Sequence, residues 1–221
     1  MTDKGYQGRV RPGGSPDVRE LTDLTITKFS VSEMANNVYL LRCQRTDRQL
    51  LIDAADDAPR ILEEIGSDGI DTVVTTHAHW DHHRALPEVV EATGATTVAG
   101  AADAADLPVP VDLPVRDGDA VQVGDCRLEV IHLVGHTPGS IALLYDDPSG
   151  TPHLWTGDSL FPGGIGNTFG DKDAFASLLD DVSTKLFDRL PDETWFYPGH
   201  GDDSTLGDQR PHLAEWRDRG W

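Results

Sequence analysis

The chain has 221 residues, the length of one compact domain. A hydrophobic fraction of 38% and a charged fraction of 25% exclude a disordered chain, and no apolar run approaches the ~20 residues needed to span a bilayer, so a membrane partner is not expected. A formal net charge of -20, without any cluster of Lys or Arg, excludes a phosphate-binding surface and with it nucleic acid as a partner.

Residues 1–20 carry charges, Gly and Pro with no apolar core. They read as a flexible arm rather than a signal peptide, with 21–221 as a single domain and the cytoplasm as the compartment. Short β-branched stretches predict strands at 24–31 and 37–42, and a third at 50–53 that ends in Asp53. The spacing of Ile61, Leu62 and Ile65 predicts a helix over 58–65. A buried strand at 72–76 then runs directly into a histidine cluster. A helix at 85–92 and a strand at 96–99 close the first half.

The second half repeats the rhythm. Strands are predicted at 120–123 and 127–133 around the Gly124-Asp125 turn, then at 141–145 and at 153–158, finishing in Asp158. The strongest helix covers 171–190, with Phe175, Leu178, Leu179, Val182 and Leu186 on one face and acidic residues near its start. A strand at 194–197 leads into Pro198-Gly199-His200, and a last helix covers 208–217. Each half thus offers a strand ending in Asp, a helix, and a strand ending in His. Two similar halves imply two sheets packed face to face with helices outside and loops from the strand ends meeting along one edge. Cys43 and Cys126 stand far apart in apolar, strand-like stretches without metal-ligand spacing, and read as buried core thiols.

His77-Ala78-His79-Trp80-Asp81-His82 packs three imidazoles and a carboxylate into six residues directly after a strand. In an extended loop the side-chain period of two points His77 and His79 the same way, so they can grip one metal ion together. Asp81 and His82 follow at the turn and can face a second. Unpaired, such a cluster would cost several kcal/mol of desolvation, which favours a metal site over a structural one.

This segment resembles the H-x-H-x-D-H signature of the metallo-β-lactamase superfamily. Further motifs follow in the family's order: Asp53 after the third strand, Gly135-His136-Thr137-Pro138-Gly139-Ser140, Gly157-Asp158-Ser159-Leu160-Phe161 and Pro198-Gly199-His200-Gly201. The resemblance runs from about Leu24 to the C-terminus. It implies an α/β fold, an αββα sandwich of two mixed β-sheets flanked by helices, with the site on one sandwich edge. Carried over position by position, it implies His77, His79 and His136 as ligands of one metal, Asp81, His82 and His200 as ligands of a second, and Asp158 as the bridge. Asp81 and Asp158 are then the catalytic carboxylates. The cofactors are two zinc ions, with iron or manganese as alternatives; zinc accepts imidazole nitrogen at about 2.0–2.1 Å and leaves a catalytic position open for water. Water between two such ions falls from a pKa of about 15.7 towards ~7, so that hydroxide is supplied at neutral pH. Asp53 is expected to hold the loop rather than to ligate.

The other histidines, His83, His132, His153 and His212, read as structural, with His83 nearest to a substrate. Trp80 reads as either a pocket wall or packing. The glycine-rich run 163–167 lacks the strand-to-helix context of a nucleotide loop and reads as a flexible loop beside the site.

The wording of the motifs is most similar to the glyoxalase II branch, which implies a binuclear hydrolase attacking a hydroxyacyl thioester, a small-molecule substrate. Two departures bear on the thiol carrier. The chain ends 21 residues beyond His200, short of the C-terminal helical domain that supplies basic glutathione-binding residues in larger members. Asn167 stands where an Arg is often found after the bridging Asp. Alternatives are a persulfide dioxygenase-like oxidoreductase, whose single iron His77, His136 and Asp158 would hold, and a lactonase or β-lactamase-type hydrolase. A nuclease is disfavoured by the charge, and a metal-holding module without activity is disfavoured by the complete ligand set.

Overall fold

The computed structural model describes residues 5–220. One sheet takes the strands in sequence order: β1 (Asp17–Glu20), β2 (Leu24–Val31), β3 (Asn36–Cys43), β4 (Gln49–Ile52), β5 (Thr72–Thr75), β6 (Thr96–Gly100) and β7 (Leu113–Val115). It is antiparallel as far as β4 and parallel from β4 to β7. The other sheet is built from β8 (Ala120–Val123), β9 (Cys126–His132), β10 (Ile141–Asp146) and β11 (Pro152–Gly157). After a small hairpin of β12 (Leu160–Phe161) and β13 (Gly164–Ile165), it is completed by β14 (Trp195–Pro198) and β15 (Ser204–Thr205). Its order is β15-β14-β11-β10-β9-β8, and β11 and β14 are its one parallel pair.

Parallel neighbours cannot be joined by a tight turn, so helices bridge them. Helix α1 (Ala58–Ile65) connects β4 to β5, α2 (Leu86–Thr93) connects β5 to β6, and α3 (Lys172–Asp181) lies between β11 and β14. The chain closes with α4 (Leu206–Gln209) and α5 (Leu213–Arg219). Alternation along each strand divides the apolar residues between layers. Tyr39 and Leu41, Leu50 and Ile52, and Leu143 and Tyr145 enter the shared core between the sheets. Their neighbours Val38, Leu40, Leu51 and Val73 face α1 and α2, while Ala142 and Leu144 face α3 and α5. Both faces of both sheets are covered, so the central strands read as nearly continuous apolar runs. The result is the αββα sandwich expected from the motifs. Among the described residues no helix is long and apolar enough to cross a membrane.

Three expectations need correction. The arm predicted over 1–20 is not loose where it is described: β1 pairs with β2, and residues 6–8 are fastened to the loop after His200. Asp203 is the reason. Its buried carboxylate accepts Tyr6 Oη at 2.6 Å, Trp195 Nε1 at 3.0 Å and Lys28 Nζ at 2.6 Å, and Lys28 also donates to the carbonyls of Gly8 and Gly201. Polar donors hold this segment, and an apolar pattern could not reveal them; residues 1–4 lie outside the described part. The helix predicted over 171–190 is α-helical only to Asp181 and continues as wider π-type turns over Val182–Phe187, where the hydroxyls of Ser183 and Thr184 bond the carbonyls of Leu179 and Asp180 and compete with the backbone ladder. The last helix is interrupted at Arg210–His212, where Pro211 has no N–H to give. Cys43 and Cys126 are the buried core thiols expected, and both belong to the same inter-sheet cluster.

Candidate metal centre

Two strand ends and two turns bring the polar residues to one edge. After β5 the chain leaves the sheet because Asp53 Oδ1 takes the N–H of Thr76 at 2.7 Å, while Asp53 Oδ2 accepts the Thr76 hydroxyl at 2.8 Å. Asp53 itself sits in the left-handed region (φ 60), which a short polar side chain tolerates. A short 3-10 turn over Trp80–His82 then places Asp81 and His82, with the His82 ring 4.2 Å from that of His77. From the other sheet, Gly157 ends β11 and delivers Asp158, and β14 ends at Pro198 before Gly199 and His200. Gly199 is required: a Cβ there would lie 2.2 Å from Asp158 Oδ1 and 2.6 Å from His82 Cε1.

The structure brings together all seven residues predicted as ligands. Their donor atoms form three overlapping groups: His77, His79 and His136; His77, His82 and Asp158; and Asp81, His82 and His200, the atoms of each lying within 4.8 Å of one another. His79 Nδ1 is 2.8 Å from His136 Nε2, which is 3.3 Å from His77 Nε2; His82 Nε2 is 3.2 Å from His200 Nε2. Asp158 reaches towards both sides, with Oδ1 3.3 Å from His82 Nε2 and Oδ2 3.7 Å from His136 Nε2 and 3.6 Å from His200 Nε2.

The opposite nitrogens decide what these contacts mean. His136 Nδ1 faces the carbonyl of Asn167 at 2.8 Å, His200 Nδ1 that of Met34 at 3.0 Å, and His82 Nδ1 faces Asp53 Oδ2 at 2.8 Å. Each of these partners only accepts, so the proton sits on Nδ1. His77 Nδ1 faces Thr76 Oγ1 at 3.1 Å, whose own proton goes to Asp53, so this nitrogen donates too. The four Nε2 atoms therefore all face inward, paired at 3.2–3.3 Å. Two ligands at 2.0–2.1 Å from a tetrahedral ion are about 3.3 Å apart, so the spacing fits a cation between them. Asp158 Oδ1 is buried without a hydrogen-bond partner among the described residues, as a ligand oxygen would be.

Electrostatics agree. Burial and the neighbouring imidazoles hold His77 well below the usual histidine range, and burial likewise lowers His79 and His136. His82 differs: burial would lower it, but Asp158 and Asp53 outweigh that and raise it, so a cation held at its Nε2 would take the place of a proton beside Asp158. Burial would raise Asp158 and Asp81, but His82 foremost pulls both below the usual carboxylate range. Neutral imidazoles and ionised carboxylates are the protonation states a metal ion requires.

Three supporting residues were not among those the sequence reading singled out. Asn36 Nδ2 donates to Asp81 Oδ2 at 2.9 Å. Asn37 Nδ2 donates to the carbonyls of Pro198 and Gly201 on either side of His200. Buried Asp103 accepts from Ala78 N at 2.9 Å, Thr137 Oγ1 at 2.6 Å and Gly139 N at 2.6 Å, tying the His77–His79 loop to the turn carrying His136. The adjacent Asn-Asn pair at a strand start was visible as a polar interruption; Asp103 sits in an Ala-rich stretch that points nowhere. Among the other histidines, His83 and His132 contact the carbonyls of Ala78 and Pro138, His153 contacts the hydroxyl of Tyr197, and His212 is exposed beside Glu215. Trp80 is exposed at the rim under Arg84, and exposed Phe169 places its ring 5.6 Å from that of His79. The glycine-rich run lies beside the cluster, with Gly166 packed on Asp158 and His136.

Residues 31–200 match the family described as "Metallo-beta-lactamase superfamily". A hydroxyacylglutathione hydrolase of Fuscovulum blasticum is 38% identical over 169 residues, covering 75% of this chain and 62% of the relative; the chain thus spans less than two thirds of that relative's length. A structure of ETHE1 from Myxococcus xanthus is 29% identical with a TM-score of 0.74, over 87% of this chain and 84% of that one. A structure of TTHA1623 in a di-iron-bound form is 28% identical with a TM-score of 0.67, over 82% and 95%.

Proposed function

This chain belongs to the metallo-beta-lactamase superfamily, and we propose that within it the protein is a binuclear metal-dependent hydrolase that cleaves a small thioester. One observation carries the reading: inward-facing imidazole nitrogens stand on both sides of Asp158, whose buried Oδ1 has no hydrogen-bond partner among the described residues. His77, His79 and His136 would hold one divalent ion, Asp81, His82 and His200 a second, and Asp158 both. When bound, such ions lower the pKa of a water molecule and polarise a carbonyl.

The chain's own residues supply geometry and proton control. Asp53 and Thr76 fix the rings of His77 and His82, so their Nε2 atoms stay aimed inward. Asn36 does the same for Asp81 through its amide. Substrate enters where His200 and Asp158 keep some exposure, past Trp80 and Phe169. A thiolate leaves readily, its parent thiol having a pKa of about 8.5, so the scissile bond needs no strong acid from the protein. The relatives' printed name supports a hydroxyacyl thioester as substrate, and zinc is the metal we assign to the mixed imidazole and carboxylate donor set.

A second reading, an oxidoreductase with a single iron on His77, His136 and Asp158, is favoured by the tight grouping of these three, with His136 Nε2 3.3 Å from His77 and 3.7 Å from Asp158. Metal analysis of protein purified without added metal, followed by assay on S-lactoyl thioesters, separates the two. Two zinc equivalents per chain, with hydrolysis lost to a chelator and regained on zinc, is the expected result. One iron with oxygen uptake on a persulfide would replace it with the second reading.

A further inference from the structure

Strand β2 carries a charge where its pattern calls for an apolar side chain. Alternation puts Leu24 and Ile26 in the core between the sheets and sends Lys28 the same way, at 0% exposure. Its ammonium has three protons and finds three acceptors: the carbonyl of Gly8 at 2.9 Å, the carbonyl of Gly201 at 2.9 Å and Asp203 Oδ1 at 2.6 Å. Gly201 adjoins His200 and Asp203 follows shortly after it, whereas Gly8 belongs to the amino-terminal segment.

Both stretches are held closely. Asn37 donates its N–H to the carbonyl of Gly199 at 2.7 Å and its side-chain amide to those of Pro198 and Gly201 at 2.9 Å each, so the backbone flanking His200 rests on β3 and on Lys28. In the amino-terminal segment, Gln7 N and Gly8 N donate to Asp17 Oδ2 at 2.8 and 2.9 Å, and Tyr6 Oη donates to Asp203 Oδ2 at 2.6 Å. Gly8 (φ 68) lies so close that a Cβ there would come within 2.6 Å of Asp203 Oδ2.

A buried ion pair stabilises a fold little more than an apolar pair of the same volume, because desolvation offsets the attraction. A methionine at position 28 would continue the run of Leu24 and Ile26. What it could not do is set the spacing of three oxygens on two segments, one of them the carbonyl next to His200.

We propose that Lys28 is a positioning residue for His200: by gripping Gly201 and Asp203 against Gly8, it makes the docked segment at residues 6–8 part of the framework of the second metal position. The proposal rests on the binuclear reading above. Coupling of this kind is reciprocal. Whatever the segment contributes to holding an ion on Asp81, His82 and His200, the ion returns to the docking of the segment.

The test compares the wild type with Lys28→Met, which removes the ammonium, and Gly8→Ala, which dislodges the segment without changing any charge. Neither substitution touches a ligand. Zinc binding is titrated against a competing chelator, anomalous scattering from crystals shows which position empties, and hydrogen exchange is followed over residues 5–20. In both variants the ion on Asp81, His82 and His200 should bind more weakly by about 10-fold or more, while the ion on His77, His79 and His136 keeps its affinity. In the wild type, metal loading should slow exchange over residues 5–20 several-fold, and His200→Ala should abolish that protection. Should Lys28→Met fail to fold, Gly8→Ala and the exchange measurement decide. Both ions held as tightly as in the wild type, both weakened alike, or exchange indifferent to metal would overturn the proposal and leave the hydrolase reading standing. A wild type that takes up no second ion would sink both.

Discussion

The strand pairs β4–β5 and β11–β14 are built alike, and their aspartates do opposite work. Both pairs are parallel, and in both the first strand delivers an Asp and the second leads to histidine. Asp53, 2% exposed, has its acceptors consumed by Thr76 N, Thr76 Oγ1 and His82 Nδ1. Asp158 Oδ1 has no hydrogen-bond partner among the described residues and stands 3.3 Å from His82 Nε2. The difference lies one residue past β5. A hydroxyl at Thr76 and a backbone N–H turned back on the carboxylate close the first aspartate, whereas Gly199, lacking a side chain, keeps the second open. One backbone device therefore yields both a scaffold carboxylate and the carboxylate we propose as a ligand.

That contrast can be broken experimentally, and the largest effect is expected at the open aspartate. Asp158→Asn should lower kcat/KM for the thioester by about 10³-fold or more and reduce the metal content per chain, since an amide cannot replace a shared anionic ligand; near-normal turnover would show that the two aspartates are not distinguished as described. Gly199→Ala should cost about 10²-fold by displacing Asp158 and His82, because its Cβ would enter within 2.2 Å of Oδ1. Its crystal structure should show the carboxylate moved while Asp53 stays in place. Asp53→Asn should be milder, with metal affinity or activity down about 10–100-fold and metal stoichiometry kept, as measured by titration with a competing chelator. Loss of stoichiometry instead would make Asp53 a ligand.

The smallest effect concerns stability alone. Residues of β4 and β5 carry no titratable side chain, but β11 carries His153, buried at 1% exposure against the Tyr197 hydroxyl. Burial first, then Arg19, push its pKa down to about 3. The unfolded chain, with a histidine near 6.5, binds the proton first, so this contribution is intact above pH 6.5 and is lost as pH falls towards 3, by at most roughly 1.4 kcal/mol per unit. Urea midpoints between pH 7 and 4 measure it, and a His153→Gln variant should flatten the slope. An unchanged slope would place the acid sensitivity elsewhere.

These contrasts also mark what was legible in the chain itself. The central strands could be read because both faces are buried, and the six-residue histidine segment because all its donors are consecutive. His136, Asp158 and His200 could be placed only through family motifs, since nothing local says that their loops meet. Asn36, Asp103 and Thr76 escaped because each works through partners far away in sequence, in the case of Asn36 and Asp81 across 45 positions. Strands β1 and β7 escaped for a different reason: they are edge strands of four and three residues with mostly polar or exposed faces, too short for any period to register.

The ammonium of Lys28 has a practical consequence for handling the molecule. Its three acceptors lie on the amino-terminal segment and on the loop after His200, so those two stretches share one mechanical anchor. A fusion partner or surface tether attached at the amino terminus would pull on Gly8, and the load would pass through this junction to Gly201, the residue next to a ring of the reactive edge. Immobilisation chemistry that spares Tyr6 and Gly8 is therefore the gentler choice, and amine-directed dyes should leave Lys28 unlabelled until the protein unfolds.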